Sequence, residues 1–123
     1  MEMNIRIAKK YGVDFQNRLR DNGTIKKIPY SKLEFLNLFL FECKVSDIDG
    51  VDEGLLNQID DALTNSNSEI ESGCGIVDIL IYRDVVKFYI NDDIDSMPTV
   101  DFREIIVGWR DFLLQPPLNG TSA

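Results

Sequence analysis

From Val77 to Ile90 the chain alternates in a way that leaves few choices of local structure. Val77, Ile79 and Ile81 interleave with Asp78, Leu80 and Tyr82; after Arg83-Asp84, Val86, Phe88 and Ile90 interleave with Lys87 and Tyr89. A period of two sends each apolar set to one face, and so short a break joins only antiparallel neighbours, so 76–90 is predicted to be a β-hairpin. An isolated hairpin is at best marginally stable in water, so its apolar face needs a cover. Phe102, Ile105, Ile106, Trp109, Phe112 and Leu113 supply one at helical spacing, and Pro116-Pro117 stops the run. A helix over 100–114 therefore packs on the hairpin, with Trp109 as its largest anchor. This pairing places the chain in the α+β class, as a small antiparallel sheet against helices.

The upstream segments follow the same logic. Ser31 and Glu34 have the spacing of a capping box before LEFLNLFLFEC, which favours a buried helix over 32–45. A fully buried strand is the rival reading, because a short apolar run does not reveal its own period. Leu55, Leu56, Ile59 and Leu63 predict an amphipathic helix over 53–64. Val45 to Gly54 is expected to be an exposed acidic loop, and Gly73-Cys74-Gly75 a bulge or bend at the start of the hairpin. Near the N-terminus, Met3, Ile5 and Ile7 suggest a short strand. Asp14 caps a short helix carrying Phe15 and Leu19, Asn22-Gly23 ends it or makes a turn, and 24–29 is a connector or short strand.

With 123 residues, 44% of them hydrophobic, the chain suits one core, read as a single domain over 1–117 with a frayed tail at 118–123. It has no apolar stretch of about 18 residues, and MEMNIRIAKK lacks an apolar segment after its charges, so a cytoplasmic protein that does not enter membranes is expected. Cys43 and Cys74 are expected to be reduced, one bridge remaining the alternative.

Charge is unevenly distributed. Residues 1–44 carry nine Lys/Arg against five acids, whereas 45–123 carry four against 16, for a net charge of −8. The acids concentrate in two groups, Asp47, Asp49, Asp52 and Glu53, and Asp92, Asp93 and Asp95. Such a surface repels nucleic acid, which is held mainly by clustered Lys and Arg, and attracts a basic protein. Both groups are candidate partner-binding residues, with Tyr82 or Tyr89 as an aromatic neighbour that either anchors the partner or packs under the last helix. Solubility alone is the plainer account of the charge.

Motifs that carry chemistry are scarce. There is no histidine, hence no usual general base and none of the commonest zinc ligand. Cys43 and Cys74 lie 31 residues apart with no C-x-x-C partner, and the acidic groups lack the spacing of a calcium loop. Gly73-Cys74-Gly75 fits neither phosphate-loop frame. The expectation is a protein that is not an enzyme and uses no cofactor or metal.

The segments GIVDILIYRDVVKFYI, NDDIDSMPTV and DFREIIVGWRDFLLQPP together resemble small bacterial immunity proteins, in particular those of contact-dependent growth inhibition and related polymorphic toxins. The resemblance covers about residues 69–117, with fainter likeness in KIPYSKLEFLNLF and LLNQIDDAL. It implies an antitoxin that blocks a cognate toxin C-terminal domain, commonly a basic nuclease. No residue role carries over by motif. Two other readings stand beside it: a small carboxylate-based hydrolase, and an adaptor or structural subunit that oligomerises through its apolar 33–41 run.

Overall fold

The alternation over 77–90 is a hairpin in the structure, but it forms the middle of a larger sheet. In chain order the elements are α1 (Ile5–Tyr11), β1 (Asp14–Leu19), β2 (Ile25–Tyr30), α2 (Glu34–Glu42), α3 (Val45–Asp49), α4 (Leu55–Thr64), β3 (Ile70–Cys74), β4 (Val77–Ile81), β5 (Val85–Ile90), β6 (Asp93–Pro98) and α5 (Thr99–Leu114). This computed structural model describes residues 5–50, 54–65, 67 and 69–115; Met3, Asp52, Glu53 and the tail from 116 lie outside them. β3-β4-β5-β6 make one antiparallel sheet and β1-β2 a second, so the fold is α+β.

Two-residue links set the register of the large sheet. Cys74 pairs with Val77 across Gly75-Ile76, and Ile90 pairs with Asp93 across Asn91-Asp92. Gly75 and Asn91 sit at φ 61° and 55°, the left-handed region that glycine and asparagine tolerate. Gly75 is thus a hairpin residue and not a bulge, while Gly73 and Cys74 belong to β3. Val77, Ile79, Ile81, Val86 and Phe88 are buried on one face under the helices. Phe88 is the hub there, with ring centroids 4.7 Å from Phe35, 5.9 Å from Phe39 and 5.3 Å from Phe102.

Three N-terminal expectations are corrected. Residues 5–11 are helical and not a strand, because Ile7 and Tyr11, four apart, both pack on the core. Gly12 at φ 64° ends the helix, and the Val13 N–H donates to the Ala8 carbonyl at 2.8 Å, a Schellman closure. Residues 14–19 form a strand, so Asp14 caps no helix; of the two readings of Asn22-Gly23 the turn holds, since it links β1 to β2. At α2 the Ser31–Glu34 capping box does not form: the Leu33 N–H donates to Ser31 Oγ at 3.1 Å, and Leu33 is the cap residue with no side-chain bond. The element is nonetheless a helix over 34–42, which resolves the helix-or-strand alternative. Its Phe35, Leu36, Phe39 and Leu40 are buried, while Leu38 and Phe41 face outward.

α5 ties the layers together. Thr99 Oγ1 donates to the Tyr82 carbonyl at 2.6 Å, fastening the helix start to the β4–β5 turn. Arg103 pairs with Asp60 of α4 at 2.7 Å, and Lys10 of α1 pairs with Asp101 at 3.1 Å. The Tyr11 hydroxyl also donates to Asp101, at 2.5 Å. Burial, then this hydrogen bond, raises the Tyr11 phenol above its ordinary value of 10. The folded chain therefore keeps a proton that the unfolded chain loses, a contribution complete below pH 10 and lost as pH rises through the folded value. Urea midpoints taken from pH 8 upward should fall above pH 10, and Tyr11→Phe should flatten that decline; an equal decline in both proteins would remove Tyr11 as its source.

Candidate functional site

The two acidic groups arise from different local structures, and the fold keeps them apart. Residues 45–49 are a short helix where a loop is expected, since Ile48 must bury its side chain and Asp47 accepts the Lys44 N–H at 3.0 Å, closing the first turn. Asp49 is held by Arg110 of α5 at 3.2 Å. Both carboxylates are exposed, yet both already serve the fold. Asp47 shares a cleft with Ser72, Gly73 and Cys74, so this group lies beside β3, one edge of the large sheet.

Asp92, Asp93 and Asp95 lie at the opposite edge. Asp92 is in the β5–β6 turn, and Asp93 and Asp95 are on β6, which is a strand and not the acidic link expected after β5. Three strand spacings, about 14 Å, separate the edges. All three carboxylates are exposed, and among the described residues none takes part in an ion pair. Charges and a terminal proline are also common protection for an edge strand, whose free N–H and C=O groups would otherwise recruit other strands.

Next to this edge is a sheet face that sequence reasoning missed. β4 and β5 turn Leu80, Lys87 and Tyr89 away from the helices, and the register sets Tyr89 between Asp78 and Ile94 and Leu80 between Glu71 and Lys87. Ile94 is 61% exposed, so it is an apolar side chain presented to solvent beside the acidic edge. An open cleft of about 550 Å³ on this face is lined by Glu71, Asp78, Leu80 and Tyr89. Tyr82 lies on the same outer face, with the Lys87 ammonium 5.4 Å from its ring centre, so neither tyrosine packs under α5. Desolvation first, then the nearby Glu69 carboxylate, raises the Tyr82 phenol. The signal for this face is Leu80 and Tyr89 at the outward positions of the alternation, too apolar for a fully solvated sheet surface.

The cysteines are both buried and free, on α2's C-cap and the end of β3. The neighbouring Cys74 thiol, then burial, holds Cys43 far above the usual thiol range, the opposite of what a nucleophile requires. No group of three or more His, Cys, Asp or Glu side chains converges as a metal site among the described residues, and no described helix is long and apolar enough to cross a membrane.

By register Asp93 and Asp95, opposite Ile90 and Phe88, belong to the helix-facing side of β6, whereas Ile94, opposite Tyr89, belongs to the outer face. The acidic edge thus borders the apolar outer face without sharing it, and charge at the rim of apolar side chains is an arrangement suited to holding a protein surface. No protein-family model, curated protein or solved structure matches this chain.

Proposed function

We propose that this chain is an immunity protein: a cytoplasmic, non-catalytic antitoxin that binds a basic toxin domain, a nuclease in the first instance, and occludes its active site. The carrying observation is the set of exposed carboxylates Asp92, Asp93 and Asp95 along the β6 edge, unpaired among the described residues, with Ile94 between them exposed on the outer face. A nuclease cleft is positive because it must hold phosphates, and a negative edge steers such a partner into contact and matches its potential. Tyr89 and Leu80 then supply apolar contact at the centre, with Glu71 and Asp78 on the rim. Asp47 and Asp49 form a secondary acidic surface in this reading; Asp52 and Glu53, the other acids of that group, lie outside the described residues.

Co-expression tests it. The secreted toxin domain encoded beside this gene should arrest growth alone and be neutralised by this chain, and the purified pair should form a stable complex. A neighbourhood with no secreted toxin, or a toxin that stays active and unbound beside this chain, overturns the proposal.

A further inference from the structure

The basic third of the sequence also has a place in the fold. Arg20, Lys26 and Lys27 of the β1–β2 hairpin and Lys44 at the start of α3 surround one open cleft of about 480 Å³. Among the described residues no carboxylate lines it, although the chain as a whole carries −8. Phe41, Val45 and Leu113 form an apolar floor, and Phe41 is 46% exposed. None of the four cations takes part in an ion pair among the described residues. Lys27 is committed to the end of α5, donating to the carbonyls of Phe112 and Gln115, and burial lowers its pKa. The Lys26 ammonium sits 4.1 Å from the Phe41 ring centre, which keeps its charge at the cleft mouth. Arg20 and Lys44 complete the rim.

We infer that this cleft docks a short acidic peptide segment that also carries apolar side chains. Its cations are the ends of side chains around an apolar floor, an arrangement that takes carboxylates and hydrophobic groups together. A phosphate site would instead gather backbone N–H donors in a nest. A long nucleic acid is disfavoured by range: at physiological salt the field of the cleft decays within about 8 Å, beyond which the strand meets the acidic remainder of the molecule. Base stacking is disfavoured as well, since Trp109 is 1% exposed and one face of Phe41 is taken by Lys26. The site shares no residue with the acidic edge, so it stands or falls separately from the immunity reading.

The test is a titration of isotope-labelled protein with a short peptide of Glu, Leu and Phe, read by amide shifts, alongside its Gln-for-Glu analogue, pyrophosphate and a single-stranded oligonucleotide. The acidic peptide should shift residues 20–27 and 41–45 saturably and weaken with salt. Lys26→Glu with Lys44→Glu should reduce affinity at least about tenfold, while Lys26→Arg with Lys44→Arg retains it and Asp92→Lys with Asp93→Lys leaves it unchanged. Circular dichroism checks that each variant is folded, and Arg20→Glu provides a second probe if the double reversal is not. Absent or unsaturable shifts, equal binding of the Gln analogue, or displacement of the peptide by pyrophosphate or the oligonucleotide at lower concentration overturns the inference.

Discussion

Trp109→Ala is expected to destabilise the fold by about 3–5 kcal/mol, a large share of the roughly 5–15 kcal/mol that holds a domain together. The indole is 1% exposed and joins three elements. It meets Phe15 of β1 edge-on at 4.9 Å, lies 5.8 Å from Phe112 within α5, and donates its ring N–H to the Cys43 carbonyl at 3.4 Å. That carbonyl lies at the end of α2, where backbone acceptors lack intrahelical donors. Alanine therefore opens a cavity between hairpin and helices and also leaves a buried acceptor unsatisfied. Trp109→Phe keeps much of the apolar contact but loses the donor, so its smaller loss separates packing from the hydrogen bond. Urea unfolding followed by circular dichroism measures both; an alanine variant within about 1 kcal/mol of the parent would mean the interface closes over the void.

The same residue shows why the C-terminal half is legible in sequence and the N-terminal part is not. In β4 and β5 the inward positions are uniformly apolar, and in α5 all of them beyond Thr99 and Gly108 are large and apolar, so the period states the element. In β1 the buried positions are Phe15 and Asn17, so a polar residue, 5% exposed, takes the second inward place, while Leu19 at the end of the same face is 59% exposed. Phe15 and Leu19 alone are four apart, which is one face of a helix and one face of a strand alike. At α1 a stop signal does exist: Lys9 and Lys10 in the last turn and Gly12 just beyond mark a helix C-terminus, and they outweigh an alternation of only three residues. β6 is hidden for another reason. Asp93, Asp95, Ser96 and Pro98 are all poor strand formers, and the strand exists because β5 offers it a partner and Met97 a buried position. The acidic residues were legible as composition, but which of them are bound internally was not. The Asp49–Arg110 pair spans 61 residues, a separation that no local pattern encodes.

Reversing Asp92, Asp93 and Asp95 to lysine is expected to slow capture of a basic partner by about one to three orders of magnitude, the range over which electrostatic steering acts. Each change adds two units, so three changes take the net charge from −8 to −2, and they do so at one edge where no described residue forms an ion pair with these carboxylates. Stability should change little, because the side chains are exposed and hold no other element. Asp47 and Asp49 should behave in the reverse manner. Asp47→Lys removes the acceptor for the Lys44 N–H, a capping loss of about 0.5–2 kcal/mol. Asp49→Lys sets two cations together at Arg110, although a pair this exposed is worth only about 0.2–1 kcal/mol. Stopped-flow association at several ionic strengths, with urea midpoints for each variant, separates the two groups. The β6 variants should lose on-rate and most of its salt dependence at constant stability, and the α3 variants should lose stability with a smaller change in rate. If the α3 reversals instead abolish steering while the β6 reversals leave it intact, the interface belongs beside β3.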